Sequence, residues 1–221
     1  MTGTGAKVRI LVVDDHAIVR EGLAMLIGHE RDMTVCGQAD GEASALQLLA
    51  ERAVEIAVVD ISLGDDSGLA LIKRIRRSHP EVRVIAFSMH PESIYAERVV
   101  RAGGYGYVMK SEPPEVLIDA IRQVRAGKVY LSDEMTGFLL NKVVNPKEFQ
   151  TEGVKNVGVL SDRELEVFQL VGKGVPTKEI AKRLDISVKT VDALRQKMRV
   201  KLGLESASEL VKFAIEYVHA M

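Results

Sequence analysis

Three aspartates, a serine and a lysine stand where short apolar runs of the sequence end. Asp14 and Asp15 follow Val8–Val13, Asp60 follows Ile56–Val59, Ser88 follows Val82–Phe87 and Lys110 follows Gly106–Met109. If those runs are parallel strands of one sheet, their C-terminal ends share a rim, which is where open α/β sheets bind ligands. Three carboxylates brought so close repel one another unless a hard cation lies between them, and magnesium, which favours oxygen ligands, is the natural one. A carboxylate beside that cation can attack a phosphoryl group, while the hydroxyl and the ammonium group neutralise charge on its oxygens. Asp and Ser are common turn formers at strand ends, so no position carries the inference alone. It is the joint choice of types that suits one chemistry. A dinucleotide site or a P-loop needs a glycine-rich turn after the first run, and Asp14-Asp15-His16 fills that turn instead.

A second chemistry sits near the end of the chain. Val188, Val191, Leu194, Met198 and Leu202 recur at three- and four-residue spacing and are expected to face a core. Opposite them, Lys189, Asp192, Ala193, Gln196, Lys197 and Arg199 form a mixed face too polar for one. Long basic side chains suit phosphates, and small or amide side chains suit base edges. A short helix over Lys178–Leu184, a tight turn at Asp185-Ile186-Ser187 and the longer helix Val188–Leu202 make a helix-turn-helix.

The elements that must position these residues follow from periodicity. The four runs above, with Thr34–Ala39, are short and rich in Val and Ile, as strands buried on both faces should be. Between and after them, His16–Gly28, Glu42–Arg52, Ser67–Ser78, Glu92–Ala102 and Pro113–Ala126 have helical spacing. The expected fold class is α/β: a doubly wound five-stranded parallel sheet with helices on both faces, joined to a second, all-α domain of four helices. A further helix is expected over Asp133–Val144, then a polar linker over Asn145–Gly158. Ser161-Asp162-Arg163-Glu164 is a capping box for the next helix, and Ser206–Val218 is the last. The domain boundaries expected are therefore 1–130, a helix and linker over 131–158, and 159–221.

The chain of 221 residues is 47% apolar, enough for two modest cores. Its formal net charge of −1 hides a division: residues 1–154 carry 18 Lys+Arg against 22 Asp+Glu, and residues 155–221 carry 12 against 9. A mildly basic C-terminal part suits a polyanionic partner. The run Val8–Val13 is too short for a signal peptide or a membrane span, and a lone Cys36 can form neither an internal disulfide nor a zinc site. A cytoplasmic protein with no membrane partner is the expectation.

The chain resembles the NarL/FixJ type of response regulator along essentially its full length. The family's acidic pair matches Asp14 and Asp15 in Ile10-Leu11-Val12-Val13-Asp14-Asp15-His16, and its phosphoacceptor matches Asp60 in Val58-Val59-Asp60-Ile61-Ser62. Its phosphoryl-binding hydroxyl matches Ser88 and its lysine matches Lys110. The resemblance implies that the backbone carbonyl of Ser62 joins Asp14, Asp15 and Asp60 around Mg2+, and that Tyr107 is the switch aromatic that follows Ser88. Residues 159–219 resemble the LuxR-type helix-turn-helix through Leu160–Val167, Thr177–Leu184 and Ile186–Asp192. By that resemblance Asp192, Ala193 and Gln196 enter the major groove, and Lys178, Lys189, Thr190 and Arg195 contact the backbone, with Arg199 on the same exposed face. A sensor histidine kinase or a small phosphodonor would supply the phosphoryl group, and double-stranded DNA would be bound by a homodimer in the active state.

Two positions depart from the family pattern. Gly64 stands where the family has proline, which should loosen the loop after Asp60, and Leu194 stands where it has histidine. Two other functions use the same residues. A stand-alone phosphatase or kinase is disfavoured because no second catalytic base appears, and a phosphorylation-independent regulator is disfavoured by the intact Asp60, Ser88 and Lys110 set.

Overall fold

The computed structural model describes residues 7–64, 66–145 and 157–219. The chain divides into two compact units, Met1–Val144 and Asn145–Met221. The expected linker lies almost wholly outside the described residues.

In the first unit, β1 (Val8–Val13), β2 (Met33–Ala39), β3 (Ile56–Val59), β6 (Arg83–Ser88) and β7 (Gly106–Met109) form one parallel sheet in the order β2-β1-β3-β6-β7. All four residues of β3 are buried, and β1 exposes only Arg9, so both faces of the sheet centre are covered. The helices are α1 (Ala17–Gly28), α2 (Glu42–Glu51), α3 (Gly68–Ser78), α4 (Glu92–Ala102), α5 (Pro114–Arg125) and α6 (Asp133–Val144). Val8, Ile10 and Val12 of β1 pack with Leu23 and Ile27 of α1 and with Leu117, Ile121 and Val124 of α5. Because strand side chains alternate, Leu11 points the other way. There it lies so close to Gly37 of β2 that a Cβ added to the glycine would sit 3.1 Å from Leu11 Cδ1 and 3.2 Å from Leu48 Cδ1 on α2. The expected doubly wound sheet is what folds, and strand order reverses between β1 and β3, the position at which such sheets open a crevice.

Two short strands were not anticipated. β4 (Ser62–Leu63) and β5 (Asp66–Ser67) pair antiparallel, Ser62 with Ser67 and Leu63 with Asp66. Gly64 lies between them at φ +56°, a left-handed conformation closed to proline, whose ring fixes φ near about −65°. The departure at Gly64 therefore gives the segment a different turn, where only loosening had been expected.

The second unit is helical: a 3-10 turn at Val157–Val159, then α7 (Asp162–Gly172), α8 (Thr177–Arg183), α9 (Val188–Lys201) and α10 (Ala207–His219). The capping box forms as read: the Glu164 N–H donates to Ser161 Oγ and the Ser161 N–H to Glu164 Oε2 at 2.7 Å. Asp185 takes a left-handed φ of 49° after α8, and Ser187 caps α9 by accepting the Thr190 N–H at 3.0 Å. Phe168, Ile180, Val191, Met198, Leu202, Leu210 and Ala214 build the core.

The apolar stripe of α9 needs correction. Val191, Met198 and Leu202 are buried, but Leu194 is only half-buried and Val188 is 41% exposed. At 100° per residue, Val191, Arg195, Met198 and Leu202 lie closest to one line, which sets Val188 and Leu194 about 60° to either side of it. Arg195 thus takes a place on the seam that the spacing had given to leucine.

Candidate functional site

The first site is assembled at the crevice between β1 and β3. Asp14 follows β1 and Asp60 follows β3, and the two are tied by backbone, since the Asp60 N–H donates to the Val13 carbonyl at 2.8 Å. Both side chains are buried, as is Ser88 at the end of β6. Lys110, just past β7, reaches across and places Nζ 2.6 Å from Oδ2 of Asp14 and 2.6 Å from Oδ2 of Asp60. Asp15 is more open and pairs with Nδ1 of His16 at 2.8 Å. Four of the five strands thus deliver side chains or neighbours to one rim, and β2 contributes none of the predicted site residues.

Burial raises the Asp60 carboxyl above the usual carboxylate range against the pull of Lys110. Burial also works against the charge on Lys110, but Asp60 and Asp14 outweigh it and hold the ammonium protonated above the ordinary lysine value. Three carboxylates against one ammonium leave two negative charges, the complement of a divalent cation. Asp14, Asp15, His16 and Asp60 each offer a ligand atom within 4.8 Å of the others, so this acidic cluster can coordinate a divalent metal. The donors are chiefly carboxylate oxygens, which fits a hard ion.

Around this centre lies a shell of polar contacts. The Ser62 N–H donates to Asp60 Oδ1 at 3.2 Å, and the Ser62 hydroxyl meets His90 Nε2 at 3.1 Å. The His90 N–H donates to Ser88 Oγ at 3.2 Å, and its carbonyl accepts the Tyr107 hydroxyl at 2.8 Å. Tyr107 is almost fully buried, and burial pushes its hydroxyl well above the ordinary tyrosine range. Every receiver residue singled out from the sequence lies in this one neighbourhood. Sequence reasoning missed His16 and His90, which join the network, and Arg20, whose guanidinium donates to the Asp14 carbonyl at 2.6 Å. It also missed Gly68 at the start of α3: a Cβ there would sit 1.9 Å from the Asp60 carbonyl oxygen. A glycine at that spacing after Asp60 was the available signal.

In the second unit, Lys178 on α8 and Lys189, Thr190, Asp192, Ala193, Gln196 and Lys197 on α9 are exposed, while Arg195 and Arg199 are half-buried. Thr190 is partly engaged within the cap, its hydroxyl 2.8 Å from that of Ser187. Arg195 donates to Thr177 Oγ1 at 3.0 Å and so ties the longer helix to the first turn of the shorter one.

A carboxylate-rich crevice on a doubly wound sheet, followed by a helix-turn-helix, defines a class: a regulator with a phosphoryl-accepting module and a nucleic-acid-binding module. Residues 10–122 match the response regulator receiver domain family, and residues 158–214 match the bacterial regulatory proteins of the luxR family. The oxygen regulatory protein NreC of Staphylococcus epidermidis is 35% identical over 213 residues, 94% of this chain and 97% of that protein. NreC of Staphylococcus aureus is 36% identical over 210 residues with the same coverage. Among solved structures, RcsB of Salmonella typhimurium superposes with a TM-score of 0.63 at 25% identity over 97% of this chain and 99% of that one. A LuxR-family response regulator from Aurantimonas sp. SI85-9A1 matches 63% of this chain and 99% of its own at 33% identity, with a TM-score of 0.58. The chain belongs to the response regulators of the NarL/FixJ type, with a receiver domain and a LuxR-type helix-turn-helix domain. It is a phosphorylation-regulated, DNA-binding transcriptional regulator, a signalling protein rather than a turnover enzyme.

Proposed function

We propose that Asp60 is the residue that accepts the phosphoryl group, from a sensor histidine kinase or a small phosphodonor. A carboxylate oxygen of Asp60 forms the new O–P bond as the donor's bond to phosphorus breaks. Lys110 and Ser88 then meet the charge on the phosphoryl oxygens. The observation that carries this reading is the Lys110 ammonium at 2.6 Å from both Asp14 and Asp60, inside a cluster of three carboxylates. Asp14, Asp15, Asp60 and the backbone carbonyl of Ser62 would hold Mg2+. When bound, it supplies positive charge that draws the phosphoryl oxygens in and removes carboxylate repulsion. Tyr107 acts as the switch side chain, since its hydroxyl hangs on His90, which also binds Ser88.

Asp192, Ala193 and Gln196 read base edges, and Lys178, Lys189, Thr190, Arg195 and Arg199 contact the DNA backbone. Arg195 does so while held by Thr177. Homodimerisation on a two-fold site is the reading for the active state. It is supported by RcsB, at 26% identity and a TM-score of 0.56, whose structure is of two dimers bound to two parallel DNAs. RcsB from Salmonella enterica serovar Typhimurium, at 25% identity and a TM-score of 0.59, was captured on promoter rprA with the phosphomimetic BeF3-. A polar linker over 145–158 and domain boundaries at 130 and 159 belong to the same reading. A cytoplasmic location belongs to it as well. Among the described residues no helix is long and apolar enough to cross a membrane. Genomic DNA selection with protein that has and has not taken up phosphoryl tests the whole reading. Phosphorylated protein should enrich two-fold-related sites that unphosphorylated protein recovers poorly; equal enrichment would contradict phosphoryl control.

A further inference from the structure

α6 is held to α4 by a polar attachment near each of its ends. The Ser132 N–H, at the entrance to α6, donates to Glu92 Oε1 in the first turn of α4 at 2.9 Å. Ser132 itself caps α6, its hydroxyl accepting the Met135 N–H at 3.1 Å and its carbonyl the Thr136 N–H at 2.9 Å. Towards the other end, Lys142 of α6 donates to both carboxylate oxygens of Glu97 on α4, at 2.9 and 2.8 Å. Between these ties Met135 is the buried residue of the helix and Leu139 is half-buried, while Leu140, Val143 and Val144 remain exposed. An element with so little buried apolar surface docks by a low-stability local equilibrium, which small changes at its attachments can shift.

Those attachments begin next to the acidic crevice. Glu92 lies four residues after Ser88, and the stretch between them is fixed by two bonds at His90: its N–H to Ser88 Oγ and its carbonyl from Tyr107. The His90 ring also stacks on Tyr95 of α4, centroids 4.7 Å apart. A hydroxyl of Ser88 that turns to donate to a phosphoryl oxygen reorganises the bond that holds His90, two residues before the carboxylate that accepts the Ser132 N–H. The strand side is tied too, for the Tyr107 N–H donates to the Tyr130 carbonyl at 3.0 Å, two residues before Ser132.

We propose that α6 is a strap whose docking on α4, through Glu92–Ser132 and Glu97–Lys142, reports the phosphoryl state of Asp60 to the chain that follows. The proposal rests on Asp60 being the acceptor. In the unmodified receiver both ties are made and α6 is docked. With phosphoryl on Asp60, Ser88 and His90 rearrange, the Glu92 carboxylate leaves the Ser132 N–H, and α6 exchanges between docked and released forms. Neither Glu92 nor Lys142 belongs to the phosphoryl-accepting machinery, so the strap can be cut without touching that chemistry.

The test is hydrogen exchange of residues 133–144 in the full chain, with and without beryllofluoride plus Mg2+, for wild type, Glu92→Ala and Lys142→Met. Phosphoryl uptake from a small phosphodonor is measured on the same preparations by intact mass. Wild-type α6 should exchange on the order of tenfold faster with beryllofluoride, the scale of one lost hydrogen bond to a charged acceptor. Both variants should exchange at the faster rate without it and gain little more, while taking up phosphoryl as wild type does. Unchanged α6 exchange in wild type that demonstrably takes up phosphoryl overturns the strap. So does wild-type protection in both variants. Absence of phosphoryl uptake by wild type instead defeats the reading of Asp60, and the strap with it.

Discussion

Gly68 packs so closely beneath Asp60 that a Cβ added to it would fall 1.9 Å from the Asp60 carbonyl oxygen and 2.7 Å from the Ile61 Cα. The first residue of α3 therefore fixes how far the strand end carrying Asp60 can lie from the helix, and only glycine fits. Gly68→Ala should force that backbone apart, at a cost of about 1–3 kcal/mol typical of overpacking. Thermal unfolding should show the receiver transition lowered by several degrees, roughly 2–8 °C. Phosphoryl uptake should slow as Asp60 moves away from Lys110. A variant with wild-type melting and uptake would mean that the contact is relieved without moving Asp60.

Lys110 is the cation on which the crevice depends, 2.6 Å from each of two buried carboxylates. Lys110→Ala should leave Asp14 and Asp60 buried without their shared partner, a loss of about 3 kcal/mol by comparison with other broken buried pairs. Added Mg2+ should then raise the melting temperature more in the variant than in wild type, because the metal becomes the cluster's main counter-charge. An equal Mg2+ response in the two proteins would count against ions sharing this cluster.

The second unit carries its own acid sensitivity. Burial would raise the Glu164 carboxyl, but the Lys201 ammonium at 2.6 Å and the Ser161 cap outweigh it and hold the group below its ordinary value of 4.5. A depressed carboxyl pKa contributes stability that is fully present above the unfolded value and is lost as pH falls through the folded one. The protection of α7 amides relative to their intrinsic exchange should therefore hold down to about pH 4.5 and fall below it. In Lys201→Met the acid-induced loss should shrink, since the folded-state pKa of Glu164 then moves back toward its unfolded value. Identical pH profiles would show that Lys201 contributes nothing to Glu164.

Gln196 and Lys189, both exposed on α9, should separate two kinds of DNA contact. Gln196→Ala should relax preference at a base pair, costing about 1–3 kcal/mol of discrimination. Lys189→Ala should weaken all sequences alike and lower the salt slope by roughly one phosphate contact. Binding isotherms on matched and mismatched duplexes across a salt series decide it, and the reverse assignment would mean that α9 is turned differently on its groove.

Much of the fold was legible because the signals were redundant. Continuous Val and Ile in β1 and β3 specify buried parallel strands, and the Ser161–Glu164 box with the helical period specifies the start of α7. The acidic site was legible because each side chain ends or directly follows a strand, so topology alone brings Asp14, Asp60, Ser88 and Lys110 together. What was missed depends on backbone approach, which composition does not encode. The β4–β5 pair follows from Gly64 at positive φ, and the need for Gly68 follows from a carbonyl that the one-dimensional sequence leaves distant. His90 joins the site through its backbone and a stacked ring, neither visible as a motif. On α9, spacing alone did not show that Arg195 takes the seam and Leu194 lies about 60° off it, because the Thr177 hydroxyl that draws the arginine inward lies on another helix.

The central claim is that Asp60 carries the phosphoryl group, and localisation of that group tests it most directly. Full-length wild type and Asp60→Asn, each with Mg2+ and a small phosphodonor, would be compared by mass spectrometry of the intact chains and of their peptides. The account predicts one base-labile phosphoryl group per wild-type chain, on the peptide containing Asp60, and none on a folded Asp60→Asn protein. Labelling of Asp60→Asn at the wild-type rate and stoichiometry would contradict it.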